Sequence, residues 1–159
     1  MKITILCVGK IKEKFYRDAL DEYIKRMSRY AKVEIIEVQD EKTPDGASEV
    51  VETAIKEKEG ERILAKWDES SYTFVLAING KQFSSEEFAD KLAKLGTYGT
   101  SHVQFIIGGS LGLSEKVIKK ADSLLSFSKM TFPHQLMRVV LMEQIYRAYR
   151  IIKNEPYHK

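Results

Sequence analysis

The sequence predicts an α/β fold in which a mostly parallel sheet is flanked by helices. Short apolar runs rich in β-branched residues alternate along the chain with longer stretches of helical periodicity. Such alternation is typical of β–α–β units, whose strands run parallel. The length of 159 residues and the apolar fraction of 43% suit a single globular domain that covers residues 1–159.

The first half of the chain contains two strands and two helices. In order, we predict a strand over residues 2–8, a helix over residues 12–30, a strand over residues 33–38 and a helix over residues 47–67. The sequence Pro44-Asp45-Gly46 is typical of a turn, and it separates the second strand from the second helix.

The second half continues the alternation. In order, we predict a strand over residues 72–78, a helix over 84–95, a strand over 103–107, a helix over 114–121, a short strand over 123–127 and a final helix over 135–153. Asn79-Gly80 is expected to end the third strand, and Gly96 with Gly99 follows the third helix. The final helix is apolar on almost every side, so we expect it to be buried on more than one side.

Composition places the protein in a broad class. No apolar stretch reaches the ~18 residues that a membrane helix needs, and the amino terminus lacks the apolar segment and cleavage site of a secretion signal. We therefore expect a cytoplasmic protein. The single cysteine, Cys7, cannot form an internal disulfide and lies in an apolar strand, so we assign it a structural role without chemistry.

Charge is distributed unevenly along the chain. The net charge is +3, but residues 1–32 carry +5 and residues 129–159 carry +4, whereas residues 37–69 carry −6. If the two basic ends meet in space, they form a positive surface beside an acidic one, which is a modest footprint for RNA. Ordinary solvated helix faces would explain the same pattern.

Two loop sequences near the carboxyl end predict a binding site. The fourth strand breaks into Gly108, Gly109 and Gly112, which we call the glycine turn (108–112), and the proline loop (127–133) follows soon after. A buried strand that ends in glycine lets a ligand approach bare backbone, the usual place for a site in an open α/β sheet. We therefore predict that these two loops form one pocket.

The side chains expected around this pocket are apolar. A ligand with an adenine-like body and a cation would fit such a lining, with polar contacts made mostly by main chain. The alternative is that the same residues are core residues that pack against the glycine turn. They are Leu76, Ile107, Leu113, Phe127, Met130 and Phe132.

Several common sites are disfavoured. The glycine fingerprint of a dinucleotide fold is absent after the first strand, which ends Val8-Gly9-Lys10, so a nicotinamide cofactor is not expected. No glycine-lysine pair is followed by Ser or Thr as a P-loop requires. The three histidines lie far apart in sequence and there is no cysteine cluster, so we expect no metal ion.

Three segments together resemble a known family. They are IIGGSLGL at residues 106–113, LLSFSKMTFPHQLMRVVLMEQIYRAY at residues 124–149 and NEPYHK at residues 154–159. Along its whole length the chain resembles the ribosomal RNA large subunit methyltransferase H family, small bacterial enzymes of the trefoil-knotted SPOUT superfamily. The resemblance implies a C-terminal trefoil knot, S-adenosyl-L-methionine as the cofactor, and methylation at N3 of a pseudouridine in 23S ribosomal RNA.

The resemblance also implies a cofactor site. Leu76 and Met130 would sandwich the adenine, Gly108 would let the backbone pass close to the ribose or methionine portion, and amides of the proline loop would bond to the ring edge. The cofactor-binding residues implied in this way are Leu76, Gly108, Phe127, Ser128, Lys129, Met130, Thr131 and Phe132.

The candidate catalytic residues lie on the last helix and in the tail. Glu143, Arg147 and Arg150 are spaced i, i+4 and i+7, so a Glu143–Arg147 pair could assist when a uracil-type imide loses its proton; a plain surface ion pair is the alternative. From the resemblance, Tyr157 would stack on the target base and His158 would accept or relay the imide proton.

Three further polar residues flank the expected pocket and are candidates for binding phosphate. They are Lys129, His134 and Arg138. His134 directly follows Pro133, so it could equally cap the last helix.

The resemblance implies a homodimer that acts on 23S rRNA within the assembled 70S ribosome. The apolar surplus of the last helix suits a two-fold contact, and the tail of one subunit could then complete the pocket of the other. The chain has no room for the separate RNA-binding domain of many knotted methyltransferases, so we expect the intact ribosome to be the substrate. The competing hypotheses are a non-catalytic nucleotide- or ribosome-binding module of the same fold and, less favoured, a nicotinamide-dependent oxidoreductase.

Overall fold

Five strands form one sheet in the computed structural model, which describes residues 1–159. The strands are β1 (Lys2–Val8), β2 (Lys32–Val38), β3 (Tyr72–Gln82), β4 (His102–Ile107) and β5 (Ser123–Ser126). Their order across the sheet is β2-β1-β4-β3-β5, and every neighbouring pair is parallel. All five carboxyl ends therefore meet at one edge, where a site is expected in such a sheet.

Five helices cover both faces of the sheet. They are α1 (Lys14–Met27), α2 (Glu49–Lys66), α3 (Ser85–Thr97), α4 (Glu115–Lys120) and α5 (His134–Ile152). Helices α1, α3 and α5 share one core cluster, and α2 and α4 share a second on the opposite face. The predicted α/β fold is confirmed. The trefoil knot stays a prediction, because strand order and pairing do not define how the chain threads.

The central strands β1 and β4 are buried along almost their whole length. Ile5 and Phe105 belong to the core cluster under α1, α3 and α5, whereas Leu6 and Ile106 belong to the cluster under α2 and α4. Successive side chains of a strand point to opposite faces, and here both faces are covered by helices. This explains why the central strands are continuous apolar runs rather than alternating ones.

Strand β3 departs from its predicted end. Asn79-Gly80 does not terminate it, because the strand continues to Gln82 after a register shift, and both Leu76 and Lys81 pair with Leu125 of β5. A Cβ at Gly80 would lie 2.8 to 2.9 Å from backbone atoms of residues 124 and 125. Gly80 is therefore required by the close approach of β5 and not by a turn. The other helices and strands begin and end within about three residues of their predicted bounds.

The two basic ends of the chain meet in space. Helix α5 packs against α1 on the same face of the sheet, while most of the acidic segment 37–69 forms α2 on the opposite face. The structure thus has a face built from the positively charged segments and an opposite face built from the negative one. No helix of the chain combines the length and the apolar character needed to cross a membrane.

Candidate active site

The glycine turn and the proline loop line one cavity at the carboxyl edge of the sheet. The cavity has a volume of about 300 Å³ and most of its lining is hydrophobic. Residues 76–79 of β3 form part of the cavity wall, and α5 contributes His134 and Met137. The full lining is Leu76, Ala77, Ile78, Asn79, Ile107, Gly108, Gly109, Gly112, Leu113, Ile118, Leu125, Phe127, Ser128, Met130, Thr131, Phe132, His134 and Met137.

This cavity brings together nearly all of the residues proposed to bind a cofactor. Of the eight, seven line it, from Leu76 on β3 to Phe132 in the proline loop. The exception is Lys129, which is exposed and is not part of the lining. Met130 is 75% exposed although it borders the cavity, so a bound ligand would cover apolar surface that now faces water.

The glycine turn is shaped by close packing as well as by backbone conformation. A Cβ at Gly108 would lie 2.8 Å from Cγ of Leu113 and 3.0 Å from the carbonyl carbon of Gly112, and Gly112 itself has a φ of +91°. Any side chain at Gly108 would therefore collide with the wall of the turn. Bare backbone borders the cavity here, as the sequence predicts.

A buried carboxylate lies behind the turn. A Cβ at Gly109 would lie 3.2 Å from Oε1 of Glu59, a buried residue of α2. Burial raises the pKa of Glu59, although its Oε2 accepts a hydrogen bond of 2.9 Å from the backbone N–H of Glu41. The sequence analysis did not single out Glu59, because a Glu in the acidic α2 segment is indistinguishable from its solvated neighbours.

The proline loop is anchored at its start and leaves donors free. The buried hydroxyl of Ser126 bonds to the carbonyl oxygens of Ile78 (2.8 Å) and Ser128 (3.1 Å), which ties the loop to the far end of β3. Within the loop only the Met130 amide finds a partner, the Ser128 hydroxyl at 3.0 Å. The remaining backbone N–H groups of the loop are available to a ligand.

A second polar cluster forms where α5 meets the C-terminal tail. Glu143 and Arg147 form an ion pair at 2.6 Å, and hydrogen bonding to Glu143 raises the pKa of Arg147. The Arg147 guanidinium lies 4.7 Å from the ring centroid of Tyr157, and its Nη1 lies 3.1 Å from Nδ1 of His158. The four predicted catalytic residues therefore contact one another. We call them the tail cluster: Glu143, Arg147, Tyr157 and His158.

The tail cluster has one partner that sequence analysis missed. Nε2 of His158 lies 2.6 Å from Oε1 of Glu86 in the first turn of α3. This contact lowers the pKa of Glu86. His158 is thus held between a cation, Arg147, and an anion, Glu86, which fixes the position of its ring. The only sequence signal at Glu86 is an acidic first turn, which any helix favours.

Arg150 does not join this cluster, although its spacing predicts that it lies on the same face of α5 as Glu143 and Arg147. Its guanidinium donates instead to Glu155 (2.9 Å), to the Tyr30 hydroxyl (3.2 Å) and to the carbonyl of Pro156 (2.8 Å). The Tyr30 hydroxyl also donates to Glu155 at 3.0 Å. These contacts hold the tail against the segment between α1 and β2, so the C-terminus is a docked segment and not a frayed one.

Within one chain the tail cluster lies far from the cavity. Arg147 follows the cavity residue Met137 by about ten helical residues, which is roughly 15 Å along the axis of α5. No residue of the tail cluster is part of the cavity lining.

Arg138 is not a phosphate ligand, which corrects its sequence-based assignment. Its side chain is fully buried; Nη1 lies 2.6 Å from Oε2 of Glu37, and Nη2 donates to the carbonyls of Val8 (3.2 Å) and Gly9 (2.6 Å). The guanidinium joins α5 to the ends of β1 and β2. One ion pair and two hydrogen bonds to carbonyl oxygens offset the free-energy cost of burying this charge. Arg138 therefore shapes the site without touching a ligand.

Cys7 is expected to be inert. It is fully buried, its Sγ lies 3.5 Å from the carbonyl oxygen of Ile36, and burial raises its pKa to about 12. Since the thiolate is the reactive form, alkylation at pH 8 should be roughly 10³-fold slower in the folded protein than in guanidinium chloride. Mass spectrometry of iodoacetamide-treated protein measures both rates. Rapid labelling of the folded protein would show that Cys7 is accessible.

Nowhere in the chain do three or more His, Cys, Asp or Glu side chains gather in an arrangement that could hold a metal ion.

Comparison with known proteins identifies the family. Residues 1–158 match the family model described as "Predicted SPOUT methyltransferase". A solved structure titled as a probable methylase family protein from Haemophilus influenzae Rd KW20 shares the fold, with a TM-score of 0.57 and 13% sequence identity over 99% of this chain and 70% of that chain.

Closer relatives cover the full length. Three proteins named Ribosomal RNA large subunit methyltransferase H match over 100% of both chains: 59% identity for Bifidobacterium animalis subsp. lactis (strain AD011), 61% for Bifidobacterium adolescentis and 60% for Clostridium novyi (strain NT). The chain therefore belongs to the ribosomal RNA large subunit methyltransferase H family of SPOUT methyltransferases.

Proposed function

We propose that this protein is an S-adenosyl-L-methionine-dependent methyltransferase that modifies N3 of a pseudouridine in 23S rRNA of the assembled 70S ribosome. It acts as a cytoplasmic homodimer of a single domain, residues 1–159. The observation that carries the proposal is that the glycine turn and the proline loop, separated by α4 and β5, line one apolar cavity, and that several amides of the proline loop have no protein partner. The names of the full-length relatives support the rRNA substrate.

The cavity fits the proposed cofactor in size and chemistry. Its volume of about 300 Å³ is within the range of small-molecule sites, and its apolar walls suit an adenine ring between Leu76 and Met130. Free amides of the proline loop would bond to the ring edge, while the Cβ-free surface of Gly108 lets the backbone reach the ribose or methionine portion. When bound, S-adenosyl-L-methionine supplies an electrophilic methyl group.

The chain's own residues must deprotonate and position the acceptor. An imide nitrogen attacks well only after it loses its proton, and a nearby cation stabilises the anion that forms. Arg147, held as a cation by Glu143, supplies that charge, and His158 accepts or relays the proton. Tyr157 presents a half-buried ring beside the Arg147 guanidinium and stacks on the base.

A second subunit brings these residues to the cavity. The tail cluster of one chain is not part of its own cavity lining, and we propose that the tail of a partner completes the site. Helix α5 offers a contact surface near the cavity, where Leu136, Val139 and Val140 remain partly exposed after the fold is formed. A C₂ contact at this surface would create two equivalent composite sites. A strictly monomeric species in sedimentation at working concentration would contradict it.

The function is tested by transfer of a labelled methyl group. Ribosomes from cells that lack the protein are incubated with the purified enzyme and labelled S-adenosyl-L-methionine, and the modified base is mapped in 23S rRNA. We expect label at N3 of one pseudouridine in intact ribosomes and far less in naked RNA. Cofactor binding without transfer to any ribosomal particle would instead support a non-catalytic binding module.

A further inference from the structure

A second cavity borders the cofactor cavity, and His134 lines both. It has a volume of about 560 Å³, lies at the carboxyl ends of β1 and β2, and has only one hydrophobic residue among the nine that line it. We call it the polar cleft. Its main lining residues are Gly9, Lys10, Lys12, Asp40, His134 and Gln135.

The charges of the polar cleft favour an anionic ligand. The carboxylate of Glu37 is neutralised by the buried Arg138 guanidinium at 2.6 Å. Lys10 and Lys12 form no ion pair, unlike nearby Lys14, which pairs with Asp18 outside the cleft. Asp40 is the one remaining unpaired acid, so two free ammonium groups outnumber it at the mouth of the cleft.

His134 stands at the junction of the two cavities with an unused nitrogen. Its Nδ1 is buried and has no hydrogen-bond partner. The ring lies against Gly9, whose φ of +88° favours glycine, and Cε1 of His134 is 3.7 Å from the position a Cβ there would take. Burial, reinforced by the charge of Arg138, lowers the pKa of His134 and favours its neutral ring, in which one nitrogen donates and the other accepts.

A methyl acceptor has to adjoin the cofactor cavity, because the reacting atoms must approach to about 3–3.5 Å. Besides the polar cleft, one other sizeable cavity shares lining residues with the cofactor cavity. That cavity, between Phe83, Phe88 and Gln144, has a volume of about 200 Å³ and no charged side chain in its lining. It has no cation to pair with an RNA phosphate, so the polar cleft is the better match for a nucleotide.

We propose that the polar cleft is the acceptor-nucleotide site, in which the target base bonds to His134 while Lys10 and Lys12 bind the phosphates that flank it. The inference rests on the proposed function, since it assumes an RNA acceptor. It assigns a role to the lysines that follow β1 and to the ring of His134, which lines both cavities.

The double variant K10A/K12A tests the phosphate contacts. We expect KM for ribosomes to rise about tenfold and the slope of log KM against log salt to fall by between one and two, while the affinity for S-adenosyl-L-methionine stays within about twofold of wild type. The matched control is K116A/K119A, which removes two exposed lysines of α4 on the opposite face. A wild-type KM and salt slope for K10A/K12A, or an equal change in both double variants, would overturn the proposal.

A second variant tests the base contact. His134→Asn keeps one polar group at the junction but shortens it, and we expect kcat to fall at least about tenfold with the same overall fold by circular dichroism. Unchanged kcat would show that His134 does not meet the acceptor.

If the wild-type protein transfers no methyl group, the proposed function fails. Co-sedimentation with ribosomes in the presence of S-adenosylhomocysteine then tests separately whether the polar cleft binds RNA. Weaker co-sedimentation of K10A/K12A than of K116A/K119A supports the polar cleft as an RNA site; equal co-sedimentation rejects it.

Discussion

Gly80→Ala is expected to destabilise the protein by about 3 kcal/mol and to abolish cofactor binding. The new Cβ would lie 2.8 Å from the carbonyl carbon of Leu124 and 2.9 Å from the amide of Leu125, and both atoms belong to the backbone of β5. Backbone in a sheet cannot move aside as a side chain does, so β3 and β5 must separate. Their residues Ile78 and Leu125 line the cofactor cavity, which would be deformed as well.

Gly96→Ala is the matched control, because the chemical change is the same and the surroundings differ. Gly96 lies in α3, where the nearest atom to a new Cβ is Cε of Met1 at 3.8 Å. Alanine favours a helix over glycine, so we expect a stabilisation of about 0.5–1 kcal/mol. Urea unfolding measures both variants, and calorimetry with S-adenosyl-L-methionine measures binding. Equal stability of Gly80→Ala and wild type would refute the steric argument.

Gly80 also shows where sequence reasoning about the fold stops. Asn79-Gly80 is a strong local turn signal, and local signals correctly place the other strands and all five helices. What extends β3 past this point is its second pairing with β5, some 40 residues further along the chain. A contact of that kind depends on tertiary structure, which local patterns do not encode.

The candidate site likewise has a part that could be predicted from the sequence and a part that could not. The cavity could be predicted because a strand that breaks into glycine at the carboxyl edge of an α/β sheet is a usual place for a site, and the family resemblance supplied the individual residues. The roles of Arg138 and Glu86 could not. An arginine on a helix looks the same in sequence whether it faces solvent or is fully buried against Glu37, and the Glu86–His158 contact joins residues 72 positions apart.

The separation of the tail cluster from the cavity is likewise invisible in sequence. Residue spacing within α5 predicts the Glu143–Arg147 pair, and the structure has it at 2.6 Å. Spacing cannot show that the cavity is bordered by the amino end of this helix, about ten residues before Arg147. This placement is why the proposed chemistry assigns the tail to a second subunit.

Arg147→Met should reduce kcat about 10²-fold while leaving cofactor affinity within about twofold of wild type. The variant removes the only cation of the tail cluster, so the imide anion loses its stabilising charge and His158 loses one of the two groups that hold its ring. We expect cofactor affinity to be preserved because no tail-cluster residue of the same chain lines the cavity and the partner's tail is proposed to act on the acceptor. Single-turnover methyl transfer to ribosomes gives the rate, and calorimetry gives the affinity.

Lys119→Met provides the comparison, since it breaks an exposed i, i+4 ion pair with Glu115 on the opposite face of the sheet. If Arg147 formed only a surface pair, both variants would leave kcat nearly unchanged.

A heterodimer of two different variants supplies the stricter test. One subunit carries Arg147→Met and the other carries Gly108→Val, in which the valine side chain closes the cavity. Such a heterodimer has one intact composite site. It should recover about half of the wild-type activity if the tail acts on the partner's cavity, and none if each chain serves its own.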